Sequence, residues 1–116
     1  MVVTLNQEAF SHAKRLIRKG KLAEGAWNEL APEAQESYIQ ENGLEEYGKW
    51  HLGIDIEKPE GKERYEFPYG DFERVHLAAI TTIEKKAAEQ KYTDIETAAA
   101  QIKKMLAGPG KKEKKA

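Results

Sequence analysis

The sequence predicts a mainly α, compact single domain of four or five helices, with one short β-hairpin in the middle in one reading of the central segment. Three observations carry this. Apolar residues recur at spacings of three and four near both ends of the chain, helix-capping and helix-stopping residues flank those runs, and 116 residues are enough for one core. At that size folding buries roughly two-thirds of the surface exposed by the unfolded chain. The globular domain is expected over residues 1–108, and 109–116 are expected to form a disordered lysine-rich tail.

In the first helix Phe10, Ala13, Leu16 and Ile17 share one face, Thr4 or Asn6 can cap its start, and Gly20 lies just past its basic last turn. Leu22, Trp27 and Leu30 then anchor an irregular connection, with Trp27 as its plug. A second helix begins at Pro32, is favoured by Glu33 and Glu36 near its N-terminus, and closes at Asn42-Gly43; Ala34, Tyr38 and Ile39 form its inward edge. From Leu44 to Ile56 two periods overlap. Leu44, Tyr47, Trp50 and His51 repeat as in a helix, whereas Trp50, Leu52, Ile54 and Ile56 alternate as in a strand. A short helix to about Trp50 followed by an extended segment reconciles them, with residues 57–62 as a loop and Tyr65 and Phe67 pairing back. Pro68 lacks an N–H, so that strand ends there or lies at a sheet edge.

The turn Tyr65-Glu66-Phe67-Pro68-Tyr69-Gly70-Asp71-Phe72 has the most specific requirements in the chain. Asp71 reads as the cap of a long central helix in which Phe72, Val75, His76, Ala79, Ile83 and Ala87 fall on one face. Ala78, Ala79, Ala87 and Ala88 let a neighbouring helix approach closely. Thr93-Asp94-Ile95-Glu96 reads as a capping box, and Ile95, Ala98, Ala99, Ile102 and Leu106 as the apolar stripe of a last, antiparallel helix.

Tyr47-Gly48-Lys49-Trp50-His51-Leu52-Gly53-Ile54-Asp55, Phe67-Pro68-Tyr69-Gly70-Asp71-Phe72, Val75-His76 and Tyr92-Thr93-Asp94-Ile95-Glu96-Thr97-Ala98-Ala99 span about half the chain. This set resembles a small family of uncharacterised bacterial proteins and is distantly similar to a helical module in phage head-maturation proteins. The resemblance implies a shared fold and a phage or mobile-element origin. It implies no activity and carries over no site residues.

Composition narrows the function classes. The absence of cysteine rules out disulfides, thiolate zinc sites and thiol chemistry, and the reducing cytoplasm is the expected compartment. The N-terminus lacks a signal-peptide pattern and no apolar run approaches ~20 residues, so no membrane association is expected. The net charge of −1 hides segregation: Lys14, Arg15, Arg18, Lys19 and Lys21 cluster, while residues 24–73 hold fourteen Asp or Glu against four Lys or Arg.

For catalysis or metal binding the candidates are His51 with Asp55 and His76 with Asp71. Metal sites usually need three or four converging ligands, and the ordinary reading is a packed histidine and a helix cap. No enzyme activity, cofactor or metal is expected. For nucleic acid the candidates are Lys14, Arg15, Arg18, Lys19 and Lys21 with Lys111 and Lys112 of the tail, set against an acidic middle and a lack of interleaved aromatics. For a protein partner the candidates are Tyr69, Tyr65 and Trp50, with Tyr69 exposed at the tip of the turn. The leading expectation is a non-catalytic protein-interaction module, and nucleic-acid association through the basic stretch is the alternative.

Overall fold

Ala9, Ala13 and Ile17 recur every fourth residue and lie buried along one stripe of α1 (Gln7–Arg18). Phe10 and Leu16 flank the stripe and are half-buried, and Gly20, at φ +77°, turns the chain after the helix. The computed structural model describes residues 3–25, 27 and 30–115, with side chains as far as Met105.

Before α1 lies a strand that the sequence did not signal. β1 (Thr4–Leu5) pairs antiparallel with β3 (His51–Ile54), Thr4 facing Ile54 and Leu5 facing Gly53. Thr4 is therefore a strand residue, not a cap. Asn6 holds the N-cap position without a side-chain capping bond. Its Nδ2 instead donates to the carbonyls of Gly48, at 3.0 Å, and His51, at 3.2 Å, carbonyls of the corner where a helix becomes a strand.

α2 (Pro32–Asn42) begins at Pro32 and stops at Gly43, φ +92°, as its sequence requires. It lies on the outside: Ala34 is exposed and Tyr38 and Ile39 are half-buried, so the expected inward edge is only partly formed. α3 (Leu44–Gly48) leads into β3, and after a 3-10 turn (Lys62–Arg64) β4 (Tyr65–Pro68) pairs antiparallel with β3. Both periods in Leu44–Ile56 were thus real, one ending where the other begins. The sheet order is β1-β3-β4, which leaves Pro68 on an edge strand opposite His51.

The long central helix starts later than its periodicity suggested. Asp71 caps no helix. Its Oδ1 accepts the N–H of Glu73, at 3.0 Å, and of Arg74, at 2.7 Å, a side-chain turn that competes with helix formation. Phe72 takes φ +71°, and β5 (Val75–His76) pairs parallel with β2 (Leu22–Ala23), the Val75 N–H bonding to the Lys21 carbonyl. Only then does α4 (Leu77–Gln90) begin, burying Ala79, Ile80, Ile83 and Ala87.

Lys91, left-handed at φ +63°, turns the chain back into α5 (Thr93–Lys115), which packs along α4 through Ile95, Ala98, Ala99 and Ile102. Leu106 lies outside the described side chains. The capping box does not form, because the Glu96 N–H bonds to the Tyr92 carbonyl and Thr93 is already helical. Asp94 instead ties β1 to α5, its Oδ2 accepting the Leu5 N–H at 2.9 Å. α5 continues through Gly108-Pro109-Gly110, where a break and a separate tail were expected; glycine and proline weaken a helix without forbidding its backbone angles. No described helix is long and apolar enough to cross a membrane.

The core lies between α1, β3 and the α4–α5 pair, with Trp50, Leu52 and Tyr69 at its centre. Gly70 touches it so closely that a Cβ there would fall 2.6 Å from the Trp50 ring and against the Arg74 carbonyl. Gly70→Ala is therefore expected to destabilise the protein by about 2 kcal/mol or more, whereas Gly61→Ala, whose Cβ would make only an ordinary 4.0 Å contact with the Pro59 carbonyl, should change stability by less than about 0.5 kcal/mol. Urea unfolding of both variants checks this.

Candidate functional site

Two of the three residues expected at a partner surface are inside. Tyr69 has no exposed surface and Trp50 is 3% exposed, so the expectation of Tyr69 at an exposed tip is wrong. The turn folds inward because Tyr69 is bonded at both backbone ends and at its hydroxyl. Its N–H donates to the Trp50 carbonyl, its carbonyl accepts the His76 N–H, and its hydroxyl donates to the Lys49 carbonyl at 2.6 Å. Burial pushes the phenol well above its ordinary pKa, keeping it a donor.

The Tyr69 hydroxyl also meets His12 Nδ1 at 3.0 Å. With the phenolic proton committed to Lys49, Nδ1–H of His12 is the donor. Its ring packs edge-on to Trp50, 5.0 Å between centroids, and burial lowers its pKa. No local motif marked His12. Its one sequence signal is a position flanking the buried Ala9–Ala13 stripe of α1.

Tyr65 is different. It is half-buried and lines an open groove of about 670 Å³ between β4 and one face of α4. Tyr47, His51, Phe67 and Trp27 contribute its aromatic lining, and Ala79, Thr82, Ile83 and Lys86 its helical wall. Phe67 sits in a strand at φ +65°, which costs roughly 1 kcal/mol or more for a residue with a Cβ. Gly53 makes room for the ring, since a Cβ there would fall 2.7 Å from Phe67 Cδ2. β4 is an edge strand, with no strand partner on its other side among the described residues.

The histidine–carboxylate candidates separate. His51 and Asp55 are both buried, and each serves its own turn. His51 Nδ1–H donates to the Tyr47 carbonyl at 3.0 Å, while Asp55 Oδ1 accepts the Glu57 N–H at 3.1 Å. His76 and Asp71 do meet, Nε2 to Oδ2 at 2.9 Å, beside the Trp27 ring at 4.7 Å. Hydrogen bonds from His76, Arg74 and Glu73 hold the Asp71 carboxyl below its ordinary pKa, more than offsetting the opposing effect of burial. That carboxylate is spent on the turn. Among the described residues no group of three or more His, Asp or Glu could hold a metal ion.

Arg15, Arg18 and Lys19 are exposed on the side away from Ala9, Ala13 and Ile17, and the Lys14 ammonium lies 4.2 Å from the centre of the Phe10 ring. Lys111 and Lys112 fall on the last turns of α5, beyond the described side chains.

Tyr69→Phe removes the donor to Lys49 and the acceptor for His12 in one step, and is expected to lower stability by about 1–3 kcal/mol by urea unfolding. His51 supplies a pH prediction. Burial lowers its pKa to about 4 in the fold, against 6.5 for the free side chain, with the Tyr47 carbonyl opposing the shift only in part. Folding therefore favours its neutral form. The contribution is complete above the unfolded pKa and is lost as pH falls toward 4, about 3 kcal/mol in all. Urea midpoints measured between about pH 7 and pH 4 should fall steeply for the native protein and less steeply for His51→Gln.

Compared with known proteins, the chain matches no protein family, no curated protein and no solved structure.

Proposed function

We propose that the protein is a non-catalytic protein-interaction module whose binding surface is the groove between β4 and α4. The observation that carries this is the groove itself: about 670 Å³, open, aromatic on one wall and bounded on the other by a helix presenting Thr82 and Lys86 to solvent. Half-buried aromatics of this kind anchor partners, and an edge strand beside a helix suits an extended segment of a partner chain. Tyr65 is the contact residue of this surface. Trp50 and Tyr69 act through the backbone that they hold in place behind it. His51, His76 and Asp71 are each engaged in bonds that maintain local turns, which supports binding over catalysis. The resemblance to phage head-maturation modules directs the partner search to proteins of phages and mobile elements.

Thr82→Arg places a long charged side chain across the groove from an exposed helix position. Capture of a partner from a nuclease-treated lysate is expected to fall about tenfold or more with this variant, with the melting temperature unchanged. Arg15→Glu with Arg18→Glu, neither of which lines the groove, should leave capture intact. Capture that ignores Thr82→Arg and follows the arginines would overturn the reading.

A further inference from the structure

A second concavity, of about 580 Å³, opens where the end of α1 meets the turn before β5. Gly20 redirects the chain after α1, and the parallel β2–β5 pair then sets Lys21 beside Arg74, with Lys19 on the same rim. These three cations come from segments more than fifty residues apart and share one cleft. All three are exposed, and none has a carboxylate partner among the described residues. Glu73 also lines the cleft and the Asp71 carboxylate, bonded to the Arg74 N–H, stands beside it, so the three cations face two carboxylates. Cations therefore outnumber carboxylates there. Half-buried Phe72 forms the wall, stacked on Tyr38, with the buried Trp50 ring edge-on to it.

We infer that this cleft binds the phosphates of a single-stranded nucleic acid. Charge complementarity selects an anion, and the row Arg15, Arg18 and Lys19 carries the positive field along α1 for several ångströms into the cleft. A repeating polyanion fits that row better than an isolated phosphate group. The Phe72 ring, which the sequence order concealed by placing it far from the lysines, favours a strand with a base free to lie against it. A flexible strand also enters a concavity that a rigid duplex would bridge. This function is independent of the β4–α4 groove.

The test is fluorescence anisotropy of a labelled mixed-sequence DNA strand of about twelve nucleotides with the intact protein over a range of salt. Three neutralised phosphates give a log–log salt slope of roughly −2. Lys21→Glu with Arg74→Glu, both at exposed positions, should weaken binding about tenfold or more and flatten the slope. Lys111→Glu with Lys112→Glu should do neither. In the unaltered protein, amide resonances of Gly20, Lys21 and Arg74 should move most on titration with the strand, a readout that needs no variant. The inference is overturned if only the tail variants lose binding, if the moving resonances lie elsewhere, or if duplex DNA or polyphosphate binds as tightly as the single strand at equal phosphate.

Discussion

The seat of the Trp50 indole on the bare backbone of Gly70, with Tyr69 locked beside it, is the contact on which the other elements depend. Trp50 follows the short helix α3, Tyr69 follows the hairpin strand β4, and their rings lie 5.5 Å apart. From this pair bonds run outward to Lys49, to β5 through His76, and to α1 through His12. A methyl group on Gly70 would have to displace either a rigid bicyclic ring or a main-chain carbonyl. Neither gives way cheaply. The turn is consequently specified from inside, by what it packs against.

That explains which parts of the fold were legible in the sequence. α1, α2, α4 and α5 carry their own signals: a repeating apolar stripe, Pro32 at a start, Gly20 and Gly43 at the ends. The α3–β3 corner and the hairpin were also readable, because the period changes from about four to two within a few residues. What escaped were β1, β2 and β5, strands of two residues each. A pair of residues has no period, and its conformation is decided by a partner distant in the chain. Asp71 shows the same limit in another form. A side chain that can cap a helix can equally fold the next three residues into a turn, and only the pairing of Val75 with Leu22 selects between them.

The candidate surfaces divide similarly. Tyr65 and the basic residues of α1 were named as candidates from residue type alone, and the fold leaves Tyr65 half-buried and Arg15, Arg18 and Lys19 exposed. The exposure of Tyr69 was misjudged because proline and glycine on either side usually mark a solvent-facing tip. Here the glycine is required by crowding. The link between Arg74 and Lys21, and of both with Phe72, could not be read at all, because it is made by a parallel pairing across the middle of the chain.

That pairing has an entropic side. Joining Leu22–Ala23 to Val75–His76 closes a loop of about fifty residues, whose entropy cost is roughly 3–4 kcal/mol from length alone. Two residue pairs cannot repay that unaided, and the β3–β4 hairpin, which lies within the loop, shortens it. Since the rim shared by Lys21 and Arg74 exists only while this loop is shut, any anion held across that rim draws the end of α1 and the start of α4 into one cooperative unit.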